Sequence, residues 1–185
     1  MINIQQKNKA IERSLPLFEQ CGLRISAEEY TNIEIADFGL SDLFRQGAQI
    51  ITLINTDRIG LKLICLLPGQ TLPEHWHTSV LQDPVWDAKE ETLRVLYGTL
   101  RLYLPGEDTL SNGFVPSGRE CYYTCRNENI LKSPDQVTMP PETKHWMQGG
   151  EDGTVFASVS TAATCVFDPF SDPEVVRITV MENEK

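Results

Sequence analysis

The sequence predicts an all-β sandwich or barrel preceded by a short helical arm. Two observations predict it. From about residue 50 onward the apolar residues fall into short alternating runs separated by Gly, Pro, Asn and Asp, and helical spacing of apolar residues is confined to the first 47 positions. Neither internal repeat nor low-complexity tract interrupts the second region, so residues 1–47 read as an arm packing on a single barrel domain, 48–185.

The arm opens with Ala10, Ile11, Ser14, Leu15, Phe18 and Cys21 at helical intervals. Pro16 should kink that helix or start it, and Gly22 should end it. Ser26-Ala27-Glu28-Glu29 is a capping-box pattern, so a second short helix is expected from Ala27. The strands expected next are Ile50–Ile54, Leu61–Leu67, Thr92–Tyr97, Leu100–Leu104, Cys121–Thr124, Gln136–Met139, Trp146–Gln148, Val155–Val159 and Val175–Val180. Pro68-Gly69, Pro105-Gly106, Ser111-Asn112-Gly113 and Gly149-Gly150 read as the turns between them.

Composition narrows the partners. The 185 residues are 41% hydrophobic and 23% charged, ordinary values for a globular chain, and 16 Lys and Arg against 26 Asp and Glu give a net charge of −10. That balance repels phosphate backbones and anionic lipid, so neither nucleic acid nor a membrane surface is expected as partner. Without a cationic and apolar leader or a run long enough to span a bilayer, the expected location is the cytoplasm. The five cysteines are odd in number and scattered, which suits reduced thiols, and Cys121-x3-Cys125 lacks the second ligand pair of a structural zinc site. Asp37-Phe38-Gly39 spells a kinase magnesium motif but stands without the glycine-rich and catalytic loops that accompany it, so it reads as chance.

The informative residues are the three histidines. His75 and His77 are two apart after Pro73, so on an extended strand both imidazoles project from one face. Glu91 heads an alternating run, and His145 follows Pro140-Pro141 at the start of another. If these segments are neighbours, His75, His77, Glu91 and His145 surround one point. Three imidazoles and one carboxylate suit Mn, Fe, Co, Ni or Zn, and on a six-coordinate ion they leave two positions open. Open positions favour catalysis over a structural role. Trp76 and Trp146 each adjoin a histidine and should face away into packing, as should Glu90.

Gly69-x5-His75-x-His77 and Glu91-x6-Gly98 resemble the two halves of the first cupin motif, and Pro140-x4-His145 resembles the second. The resemblance implies a double-stranded β-helix, a jelly-roll barrel, with those four side chains as metal ligands. Thirteen residues, 78–90, separate His77 from Glu91, a longer insertion than cupins generally carry and a feature of D-lyxose isomerase-type cupins. The chain is similar to that family also through Asn55-Thr56-Asp57-Arg58, Pro68-Gly69-Gln70-Thr71, Thr143-Lys144-His145-Trp146 and Phe170-x-Asp172-Pro173.

The function this implies is aldose–ketose isomerisation of a free monosaccharide such as D-lyxose or D-mannose, by a homodimer, with manganese the expected ion. A divalent cation stabilises the negative charge that develops on adjacent oxygens, and a proton shuttle must reach the substrate carbons. Lys89, two residues before Glu91, is expected to hold a substrate oxygen, with Asp168 or Glu142 as the carboxylate of the shuttle and Trp86 as an apolar surface for the sugar. Thirteen residues after His145, where the resemblance places a catalytic glutamate, stands Ser158. That departure keeps two alternatives open: a sugar-binding or regulatory cupin without turnover, and an Fe(II) cupin dioxygenase.

Overall fold

The computed structural model describes residues 1–78, 89–161 and 168–182. Helix α1, Ile4–Gln20, starts at Asn3, whose side chain accepts from the Gln6 N–H while Gln6 accepts from the Asn3 N–H. The helix runs through Pro16 without ending there. Glu12, whose carbonyl loses its partner at Pro16, lies on the exposed side, so water takes the bond while Ala10, Ser14 and Phe18 remain buried. Ser26 caps α2, Ala27–Thr31, with the reciprocal Glu29 bond expected of its sequence.

Eight antiparallel strands form one continuous sheet curled into a double-stranded β-helix: β1 (Glu34–Ala36), β2 (Ala48–Asn55), β3 (Gly60–Leu66), β4 (Thr71–His75), β5 (Glu91–Leu104), β6 (Asn127–Lys132), β7 (Gln136–Met139) and β8 (His145–Ser160). Their order is β1-β2-β3-β8-β5-β6, with β4 on β8 and β7 on β5. The two long strands belong to both walls. The first part of β5 pairs with β7 and with the end of β8, whereas its second part pairs with β6 and with the start of β8. Ile50, Ile64, Leu93, Val95, Leu100, Leu102 and Phe156 fill the barrel, and Phe18, Ile51, Leu63 and Cys65 pack between α1 and its outer face.

Four expectations are corrected here. Gly149-Gly150 is no turn: β8 runs straight through it, because a Cβ on Gly149 would lie 2.5 Å from the Leu67 carbonyl and one on Gly150 2.8 Å from the Thr99 Cβ. The glycines permit close packing, not reversal. Thr92–Tyr97 and Leu100–Leu104 are likewise one bent strand, with its bulges around Gly98, where φ is +71° and a Cβ would meet the Gly153 carbonyl at 2.2 Å. Cys121–Thr124 is not a strand but begins within a 3-10 turn, Glu120–Tyr122, and the Cys125 N–H after it is taken by the Glu74 carboxylate instead of a ladder. Val175–Val180 is not a strand: it bends at Arg177 and Ile178 and is tied to the barrel by the Val176 N–H on the Phe38 carbonyl.

Candidate metal centre

Register assembles the centre. β4 pairs with β8 so that His75 stands opposite His145, and their ring centroids are 4.3 Å apart. His77 follows the end of β4, its ring 5.2 Å from His75 and 5.3 Å from His145. One ring nitrogen of each of the three histidines lies within 4.8 Å of the others. Glu91, first residue of β5, brings Oε2 to 3.0 Å from His77 Nε2 and 3.6 Å from His145 Nε2. All four side chains are buried.

The hydrogen bonds behind the rings fix which nitrogens face inward. His75 Nδ1 lies 2.9 Å from the Pro73 carbonyl and His145 Nδ1 2.8 Å from that of Thr143, so both protons sit on Nδ1 and both Nε2 lone pairs turn to the centre. His77 Nδ1 is 3.1 Å from Asp168 Oδ1, within ion-pair distance though off the line of a good hydrogen bond. His77 Nε2 instead donates to Glu91 Oε2 at 3.0 Å, so its proton lies on the side of the centre, where a cation would replace it. Lone pairs facing a carboxylate repel unless positive charge lies between them, and protons supply it in metal-free protein as a cation would in loaded protein. His145 Nε2 is buried without a hydrogen-bond partner. A buried nitrogen aimed at two imidazoles and a carboxylate suits a divalent cation and little else.

Electrostatics agree with that arrangement. Burial, then the neighbouring His145 and His77, press His75 well below the ordinary imidazole range, so it is neutral and free to coordinate. Burial also lowers His77, but the Asp168 and Glu91 carboxylates outweigh it and raise the group. Against the upward push of burial, the neighbouring His145, the bond from His77 and the charge of Lys89 hold the Glu91 carboxyl well below the usual range. Asp168 is lowered in the same way by His77 and Lys89.

Lys89 is buried and donates to Asp168 Oδ2 at 2.8 Å, although β5 begins two residues later. Both line the same cavity as His75, His77 and Glu91. Glu90 faces out, as alternation requires, and Trp146 packs face to face on Tyr103 at 3.6 Å. Trp76 is only partly buried, beneath the Lys144 ammonium at 4.8 Å. Trp86, expected against the sugar, lies outside the described residues.

Several cavity residues carried no signal at their positions. Ser158 is not idle: its hydroxyl donates to Glu91 Oε1, leaving Oε2 for the centre. Lys62 on β3 points to the same face as Ile64 and lines the cavity with Ser160 and Arg177. Phe38 lay in a motif set aside as chance, and Phe170 sits where the chain crosses back over β4, its ring 5.5 Å from His75.

The comparisons with known proteins follow this geometry. No protein-family model matches the chain. It is 42% identical to the D-lyxose ketol-isomerase of Cohnella laeviribosi over 94% of each chain, and 40% identical to the D-lyxose/D-mannose isomerase of Thermosediminibacter oceani over 93% of this chain and 94% of that one. In fold it is similar to the L-ribose isomerases of Cellulomonas parahominis and of Acinetobacter sp. DL28, each with TM-score 0.75 and 15% identity over 98% of both chains. With a barrel of this topology and relatives this similar over nearly their whole length, the chain belongs to the D-lyxose ketol-isomerase family of sugar isomerases.

Proposed function

We propose that this protein is a metal-dependent aldose–ketose isomerase acting on a free monosaccharide such as D-lyxose or D-mannose, with His75, His77, Glu91 and His145 as metal ligands and Mn2+ as the working ion. The observation that carries this reading is the inward-turned, unpartnered Nε2 of buried His145 beside two further imidazoles and a carboxylate. A divalent cation held there would act as a Lewis acid on neighbouring substrate oxygens, which is what moving a proton between C1 and C2 through an enediol demands.

The chain's own residues do the rest. Lys89, its ammonium anchored on Asp168, is placed to hold a substrate oxygen by charge, and Asp168 is the ionised carboxylate nearest the centre that is not itself a proposed ligand. Asp168 is therefore the proposed proton carrier between the two carbons. Ser158 fixes Glu91 through Oε1 and leaves Oε2 on the side of the histidines. Burial of Lys89 and of the four proposed ligands would favour return of the proton to the neighbouring carbon over exchange with bulk solvent.

The test is direct. Purified protein stripped with chelator and reloaded with Mn2+ should convert D-lyxose or D-mannose to ketose, the stripped protein should not, and Lys89→Ala should keep the metal and lose turnover. A second reading, a sugar-binding module without turnover, is favoured by Ser158 standing thirteen residues after His145. Tight metal with no ketose from any aldose would establish it, and oxygen uptake dependent on iron would establish a dioxygenase.

A further inference from the structure

The one cavity-lining aromatic with an unfavourable backbone is Phe38, at φ 53°, among the described residues. Left-handed backbone is adopted easily by Gly and occasionally by Asn or Asp, and a bulky residue holds it only where its surroundings over-determine it. Here they do. The Leu40 N–H bonds back to the Asp37 carbonyl at 3.0 Å, and the Gly39 N–H reaches the Asp37 side chain at 3.1 Å. The segment after Phe170 clamps the same turn from outside. Its Val176 N–H donates to the Phe38 carbonyl at 2.8 Å, and its Thr179 hydroxyl accepts from the Asp37 N–H at 2.9 Å.

Four bonds thus hold one unfavourable residue, and the result is an aromatic wall beside the centre. The Phe38 ring lies 5.9 Å from Phe170, which lies 5.5 Å from His75. Lining the same cavity are the hydrogen-bonding groups Lys89, Glu91, Asp168 and Ser158. A pocket with one apolar face and a few converging polar groups recognises a molecule with the same asymmetry. A sugar has it: hydroxyls for the polar side, and C–H groups made slightly positive by their oxygens for the negative face of a ring.

We propose that Phe38 is a substrate-facing platform that receives the C–H face of the sugar, and that its left-handed backbone is retained because it delivers the ring there. This rests on the isomerase reading above. The platform touches parts of the sugar that do not react, so it stabilises ground and transition states alike and its loss appears in KM, not kcat.

The experiment compares Phe38→Leu, which keeps apolar bulk without a ring, with Phe38→Tyr, which keeps the ring. Phe38→Met replaces the leucine variant if that does not fold. Expected for Phe38→Leu are a rise in KM for D-lyxose of about three- to tenfold, little change in kcat and unchanged Mn2+ content, with Phe38→Tyr restoring KM. A fall in melting temperature with KM unchanged would mean that Phe38 only fills the core, and would overturn the proposal. So would an equal rise in KM for the tyrosine variant. Calorimetric binding of D-arabitol, which cannot isomerise, separates this claim from the reading beneath it. Arabitol binding weakened by Phe38→Leu in a protein that turns over no aldose would sink the isomerase and leave the platform standing. Wild-type protein that binds no polyol would sink both.

Discussion

Glu74 and Glu91 are both buried carboxylates on strands that frame the metal centre, and they are satisfied in opposite ways. Glu74 points away from its neighbour His75 and is surrounded by donors. The Thr124 hydroxyl, the Cys125 N–H and the Ser171 hydroxyl bind it at 2.8, 2.7 and 2.6 Å, and Lys144 stands at 3.7 Å. Every one of those groups brings its own hydrogen or positive charge, so the site is complete within the protein. Glu91 accepts from the Ser158 hydroxyl and from His77 Nε2 at 3.0 Å, and beside it His145 Nε2 stands at 3.6 Å without a hydrogen-bond partner. The closed cage fits a structural carboxylate, and the incomplete one at Glu91 fits the ligand role proposed for it. Burial alone does not distinguish them.

The comparison is broken most severely at Glu91. Glu91→Gln removes the negative charge of the one carboxylate among the four proposed ligands, so metal affinity should fall by more than the roughly 10–100-fold seen when a supporting residue is lost, and ketose formation should vanish. Stability without metal should change little, because the same substitution relieves buried charge. Titration of Mn2+ by its paramagnetic resonance signal, beside a urea melt of stripped protein, measures both.

Glu74→Gln should do the reverse. The amide keeps one acceptor oxygen but turns an NH2 toward groups that already donate, leaving at least one buried donor unpaired at about 1–3 kcal/mol. The loss should appear in the urea midpoint of the stripped protein, with metal stoichiometry kept. If Glu74→Gln instead sheds metal as Glu91→Gln does, the division into closed and open cages fails.

This contrast bears on what a sequence can tell. The convergence of the four proposed ligands was legible because the residue types are rare, three histidines in all, and because their spacing to Gly69, Gly98 and Pro140 has a backbone cause. Gly98, for example, sits where β5 bends and no side chain fits. Glu74 was illegible, since its partners come from residues 124, 125, 144 and 171, which only the folded register gathers. Ser158 was read as a missing carboxylate because spacing reports which residue occupies a position but not what its hydroxyl touches. Gly149-Gly150 was misread as a turn for a related reason. A glycine required by a neighbour's close approach looks, in sequence, like one required for reversal. Phe38 was discarded with its motif, and only its φ angle recovers it.

A third glutamate sharpens the comparison at the least cost. Glu128 lies on β6, away from the centre and only partly buried, and accepts from the Tyr103 hydroxyl at 2.7 Å, the Asn112 side chain at 2.8 Å and the Gly113 N–H at 2.9 Å. Burial pushes its carboxyl up, but the bonds from Asn112, Tyr103 and Gly113 prevail and bring it down from 4.5 to about 2. A carboxyl lowered by folding stabilises fully above its unfolded value and loses that contribution as pH falls through its folded one. Wild-type protein should therefore exceed Glu128→Gln in unfolding free energy by about 1–2 kcal/mol at neutral pH, solvent screening keeping the figure small. The gap should hold down to pH 4.5 and close as pH falls to about 2, where the carboxyl takes up its proton in the fold as well. Urea melts of both proteins across that interval measure it. A gap independent of pH would mean that the shape of the side chain, and not its charge, holds the 111–113 loop, so that the closed-cage argument made for Glu74 could not be extended to a carboxylate half open to water.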